Sequence, residues 1–117
     1  MIELIEDINA IEIGLEALNF QFPISDIYRF KIKSLCNDED VVGSVFYDGP
    51  EIHIAIFPEY RRRWASRRII RDILKHPFDE YGYAITMGFE SDRDFLERIG
   101  FKEQFRINDI TYYRIQP

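Results

Sequence analysis

Two groups of residues in this chain have the types and spacing to do chemistry. The first is Glu51 and His53 in EIHIAIF, two positions apart and so on one face of a strand. A carboxylate and an imidazole, the latter with a free pKa of about 6.5, are both competent bases beside a cleft. His53 equally fits an ordinary half-buried role, bonded to a neighbouring strand or a helix layer. The second group lies in PEYRRRWASRRIIRDILKHP, where six of the fifteen basic residues fall between Arg61 and Arg71 on a chain of net charge −6. Arg63, Arg67, Arg71 and Lys75 recur every fourth position, a row that points to solvent or to a ligand.

The remaining chemistry-bearing residues narrow the field. Cys36 is the single cysteine, so no internal disulfide is expected, and its acidic NDED neighbourhood raises rather than lowers a thiol pKa. His53 and His76 are too far apart, with no cysteine cluster, to suggest a zinc site. Glu59 suits a first-turn acid as well as a base. His76, beside Pro77, reads as a partner for a helix C-terminus. The N-terminus, MIELIEDINA, carries acids where an export signal carries lysines, and no apolar run approaches the roughly 20 residues of a membrane span. A soluble, cytoplasmic protein is expected. At 117 residues, with 46% apolar and 15% aromatic residues, residues 1–117 are read as one domain with a packed core.

Elements that would position these groups follow from periodicity. Leu4, Ile8, Ile11, Leu15 and Leu18 predict an amphipathic helix bounded by Pro23. IYRFKIKSL, VVGSVFY and EIHIAIF alternate as strands, with turns at Asn37–Asp40 and Asp48–Pro50, which implies an antiparallel meander. Ala65, Ile69 and Ile73, with Ile70 and Leu74, predict a helix that Pro77 stops. YAITMGF is a buried strand. Ser91 is the expected N-cap of a short helix closed by Gly100, and FKEQFRI and ITYYRI form a last hairpin around Asn108-Asp109. The fold class is therefore α/β with a mixed sheet: a meander, a β-α-β crossover and a C-terminal hairpin.

This order resembles the GNAT acyl-CoA N-acyltransferases, most specifically over Glu51 to Glu103. IAIFPEYRRRWASRRIIRDIL is similar to the family's strand–loop–helix, V-x-P-x-Y-R-G-x-G-[IV]-G, and FLERIGFKE to its late Y-x-[KR]-[LI]-G-F segment. The resemblance implies acetyl-CoA as cofactor and an amine as acceptor. It implies that Ile54 and Ile56 offer main chain to the pantetheine arm, and that Arg61, Arg62, Arg63, Trp64, Ala65 and Ser66 cradle the pyrophosphate. It also puts forward Glu51, on the strand where family members often carry a glutamate, as the base, with His53 the other candidate on its own chemistry. The family's glycine positions hold Arg62, Trp64 and Ser66. Its usual asparagine and tyrosine fall on Phe89 and Leu96. Arg62, Arg63 and Arg67 would then pair with phosphates in place of bare amides, with Trp64 packed on the cofactor. Tyr81, Tyr83, Tyr112 and Tyr113 carry hydroxyls that can protonate a leaving thiolate, though none is marked by spacing.

Two other readings stand beside the enzyme. One is a GNAT-like fold kept as an interaction or structural module, resembling small glycine-poor phage proteins of virion or assembly type. Its arginine helix meets a protein partner and Trp64 plugs a core groove. The other is a weak nucleic-acid binder using the same row, against which the acidic remainder weighs. The ITYYRI hairpin offers aromatic surface to a second subunit.

Overall fold

Alternating stretches of the sequence become the strands of one seven-stranded sheet in the computed structural model, which describes residues 1–6 and 29–117. The strands are β1 (Ile2–Ile5), β2 (Lys31–Asn37), β3 (Asp40–Asp48), β4 (Glu51–Ile56), β5 (Ala84–Gly88), β6 (Lys102–Ile107) and β7 (Ile110–Ile115). Their order across the sheet is β1-β2-β3-β4-β5-β7-β6. Only β4 and β5 run parallel, because the chain between them crosses over through α1 (Arg67–Tyr81). A second helix, α2 (Arg93–Ile99), joins β5 to β6.

The N-terminal helix expected from Leu4 onward does not begin there. Ile2–Ile5 is an edge strand antiparallel to β2, and Ile8, Ile11, Leu15 and Leu18 lie outside the described residues. Four residues of alternating exposure satisfy a strand as well as one helical turn, and pairing with β2 decides between them. The meander β2–β3–β4 is formed as expected, although β2 starts at Lys31, after a short turn at Arg29 and Phe30. Within it, Gly43 is required: a Cβ there would lie 2.2 Å from the Ala55 carbonyl oxygen.

Helix α1 starts at Arg67, so Arg63 and Ala65 precede it rather than sharing its rows. Ser66 caps it, its hydroxyl accepting from the Ile69 N–H at 3.1 Å. Ile69, Ile73 and Leu74 are buried against the sheet with Leu35, Val45, Ile52 and Trp64, each such side chain contributing about 1.5–3 kcal/mol. Pro77 does not stop the helix, which runs on to Tyr81 and closes at Gly82, φ 83°. A proline at 77 has no N–H for the Ile73 carbonyl, and the buried Tyr47 hydroxyl donates to that oxygen at 2.8 Å. A side chain from β3 thus replaces the helical bond. Burial pushes the Tyr47 hydroxyl pKa up. His76 is therefore mid-helix, edge-on to Tyr47 and Tyr81, and not at a helix end.

Ser91 is not the cap of α2. It sits inside a short 3₁₀ turn, Glu90–Asp92, and the Asp92 carboxylate accepts the Phe89 N–H at 2.9 Å instead. Gly100 closes α2 as expected, with φ 122°. Arg93 then ties the turn, the helix and β6 together through Glu90 (3.0 Å), Glu97 (3.1 Å) and Glu103 (2.6 Å). ITYYRI lies inside the sheet as β7. The exposed edge is β6, with Phe105 and Ile107 open to solvent.

Candidate active site

The ladder between β4 and β5 has one registered pair, Glu51 with Ile85, made by the Ile85 N–H donating to the Pro50 carbonyl at 2.9 Å. It ends at the next residue, where the Ile52 carbonyl accepts from the Thr86 hydroxyl at 2.7 Å. Beyond that point the two strands part. The Phe57 N–H donates to the Val42 carbonyl, which fixes the alternation of the β3–β4 ladder. That alternation turns the main chain of Ile52, Ile54 and Ile56 away from β3 and toward the gap.

The gap is a cleft of about 760 Å³. Ile54 and Ile56 form one wall, Met87, Gly88 and Phe89 the other, and Trp64 and Phe95 also line it. The Trp64 indole is 7% exposed and tilted against Phe95, with ring centroids 5.6 Å apart. It belongs to the core and lines the cleft without filling it.

On the sheet face away from α1, the inner end of the cleft holds Glu51 and His53. The His53 Nε2 is 2.6 Å from Glu51 Oε2, and His53 is 7% exposed against 21% for Glu51. An ionised carboxylate only accepts, so Nε2–H donates and the tautomer is set by this bond. Arg29 donates to the same Glu51 Oε2 at 3.3 Å and reaches Asp48 at 3.0 Å, while its guanidinium lies 4.5 Å from the Phe30 ring centroid. Phe30 packs edge-on to His53 at 5.7 Å. The sequence brought out Glu51 and His53. It gave no sign of Arg29 and Phe30, whose places depend on the turn before β2, nor of Thr86.

The arginine loop leaves β4 through a 3₁₀ turn, Pro58–Tyr60. Arg61 lines the cleft, whereas Arg62, Arg63, Ala65, Ser66 and Arg67 are exposed outside it. Arg62 has φ 77°, the left-handed backbone that favours glycine. Several loop amides are used internally: Arg61 N–H donates to Pro58 O, Arg63 N–H to Tyr60 O and Ser66 N–H to Trp64 O. The Arg63 guanidinium donates to the Glu59 carbonyl, which leaves Glu59 away from the cleft. Arg62 and Arg67 stand exposed beside the N-terminus of α1, the positive end of its dipole. Tyr81, Tyr83, Tyr112 and Tyr113 do not line the cleft. No three His, Cys, Asp or Glu side chains among the described residues group as metal ligands, and no described helix is long and apolar enough to cross a membrane.

No family model matches the chain, and no curated protein matches it in sequence. Solved structures do match in shape. The dodecameric spermidine N-acetyltransferase of Vibrio cholerae superposes with a TM-score of 0.76 at 14% identity, covering 98% of this chain and 93% of that one. A Bacillus subtilis acetyltransferase in complex with CoA gives 0.69 at 10% identity over 99% and 97% of the two chains. A Desulfovibrio desulfuricans protein assigned to the GNAT family gives 0.71 at 15% identity over 99% of both. At such identities the likeness is one of architecture: this chain has the GNAT acyltransferase fold.

Proposed function

We propose that the protein is an N-acyltransferase that takes an acetyl group from acetyl-CoA seated in the β4/β5 cleft and passes it to an amine. The observation that carries this reading is the parting of β4 from β5 beside the Glu51–His53 pair. An extended thioester arm needs main-chain groups to follow, and the Ile54 and Ile56 main chain faces the gap. The residues present fit a CoA tail in a modified way. Arg62 keeps a left-handed backbone, α1 offers its N-terminus, and Arg62, Arg63 and Arg67 supply charge where loop amides are already bonded. CoA would supply the activated acyl carbon as a thioester.

The chain's own residues do the rest. The Glu51–His53 pair would take the proton that the acceptor amine loses as its C–N bond forms and the thioester C–S bond breaks, and would return that proton to the leaving sulfur. Arg29, bonded to Glu51, fixes the carboxylate's direction, and Phe30 keeps the imidazole edge dry. Removing such a base costs about 10²–10⁴-fold in rate. Calorimetric titration with acetyl-CoA tests the reading: a saturable one-to-one heat supports it, and none at millimolar ligand sinks it. A second reading, a non-catalytic module docking through the arginine helix, draws support from the bonded loop amides. Stoichiometric capture of a partner without any response to acetyl-CoA favours that one.

A further inference from the structure

The charge on α1 extends beyond what a diphosphate can use. Arg61 lines the cleft, but Arg62, Arg67 and Arg71 do not line it and are exposed. None of these three makes an ion pair among the described residues, whereas Arg68 is bridged to Asp72 at 2.9 Å and Lys75 to Asp79 at 2.6 Å. Arg67 and Arg71 are one turn apart, about 6 Å along the helix axis, and the loop adds more. A diphosphate, two tetrahedra sharing one oxygen, is shorter than this row. The row also stands on a chain of net charge −6, so an acidic macromolecule is repelled except at this face.

We propose that the exposed face of α1 docks an acidic carrier protein, whose phosphopantetheine arm then enters the β4/β5 cleft past Arg61. The inference rests on the cleft's taking a pantetheine thioester, as above. CoA and carrier proteins share that arm and differ in what lies behind its phosphate: a nucleotide in one, a folded acidic surface in the other. Arg71, beyond the arginines that serve the diphosphate, continues the exposed row of Arg62 and Arg67 and matches the second. No internal ion pair must be broken to engage them, and the bonded loop amides matter less when the arm is held by its protein. A nucleic acid is the poorer occupant, since its binding draws on about 6–10 phosphate contacts and this patch offers few cations on a repelling body.

The test is titration of the full chain with an acidic acyl carrier protein in acetylated holo form, the same carrier in apo form, acetyl-CoA and a short DNA duplex. Trp64, the single tryptophan, reports on the cleft by fluorescence. The expected result is that the acetylated carrier binds at least tenfold tighter than the apo carrier. Arg71→Glu should weaken carrier binding about tenfold, Arg71→Lys should restore it, and neither should change acetyl-CoA binding by more than about twofold. If acetyl-CoA binds and the carrier does not, the docking proposal is wrong while the cleft reading stands. If neither binds, both are wrong. Equal binding of holo and apo carrier, an equal loss of acetyl-CoA affinity in Arg71→Glu, or tighter binding of the duplex would each overturn the docking proposal.

Discussion

Replacing Arg62 with glycine should stabilise the protein, although it deletes a charged side chain from a candidate binding loop. At φ 77° an L-residue carries a steric cost of about 1–2 kcal/mol that glycine does not. Glycine gives back about 0.5–1 kcal/mol through its larger unfolded-state entropy. The Arg62 side chain is exposed and makes no hydrogen bond or ion pair among the described residues, so little is lost with it. The net gain is about 0.5–1 kcal/mol, a rise of about 2–5 °C in Tm for a domain of this size. Arg62→Ala is the control, because alanine keeps the left-handed cost and should move stability by less than about 0.5 kcal/mol. Urea titration of the three proteins reads the difference directly. A glycine variant no more stable than the alanine variant would refute the argument. Both variants should weaken acetyl-CoA binding, which would explain why a strained arginine stands at this position: its charge serves the ligand at the expense of the fold.

Four further outcomes follow from the geometry. Tyr47→Phe leaves the Ile73 carbonyl buried without a donor and should cost about 1–3 kcal/mol; in a Pro77→Ala background, which restores the helical N–H, the cost should shrink, and strict additivity would contradict the link. Gly43→Ala drives a Cβ into the Ala55 carbonyl and should lower stability by about 3 kcal/mol or more in thermal denaturation. Glu51→Gln should keep acetyl-CoA affinity within about threefold while reducing kcat about 10²-fold or more, and a matched fall in affinity would argue against a proton-transfer role. The Arg93 hydrogen bond holds the Glu90 carboxyl below the usual carboxylate range. Its folded pKa lies under its unfolded one, so its stabilising effect is present above the ordinary value and fades as pH falls through the depressed one. The Tm gap between wild type and Glu90→Gln should therefore be fully present above the ordinary carboxylate value of about 4.5 and shrink as pH falls below it, and a constant gap would contradict the linkage.

Much of this fold was legible because alternation and every-fourth spacing report burial directly. EIHIAIF, YAITMGF and ITYYRI are strands, and Ile69, Ile73 and Leu74 mark the buried side of α1. The failures share a cause, which is that local rules yield to distant partners. Pro77 is a helix stop only until Tyr47, thirty residues earlier in the chain, satisfies the carbonyl it orphans. Ile2–Ile5 could enter either element until β2 pairs with it. Ser91 does not cap α2, because the chain enters that helix through a 3₁₀ turn closed by the Asp92 carboxylate on the Phe89 amide. At the site, the Glu51–His53 pairing could be read from a two-residue offset on one strand. The Arg29 contact could not, because a turn ending at β2 supplies it. The loop shows the converse: Arg62 holds a left-handed backbone that glycine adopts most easily, and nothing in an arginine-rich stretch announces that conformation.

The proposed activity requires the gap between β4 and β5 to be a place where a thioester arm lies. An amide-resolved NMR titration of the ¹⁵N-labelled protein with acetyl-CoA examines that claim residue by residue. It predicts saturable shifts concentrated at Ile54, Ile56, Gly88 and the Arg61–Arg67 segment, together with a changed Trp64 indole N–H. Shifts confined to other surfaces, or none at millimolar ligand, would contradict it.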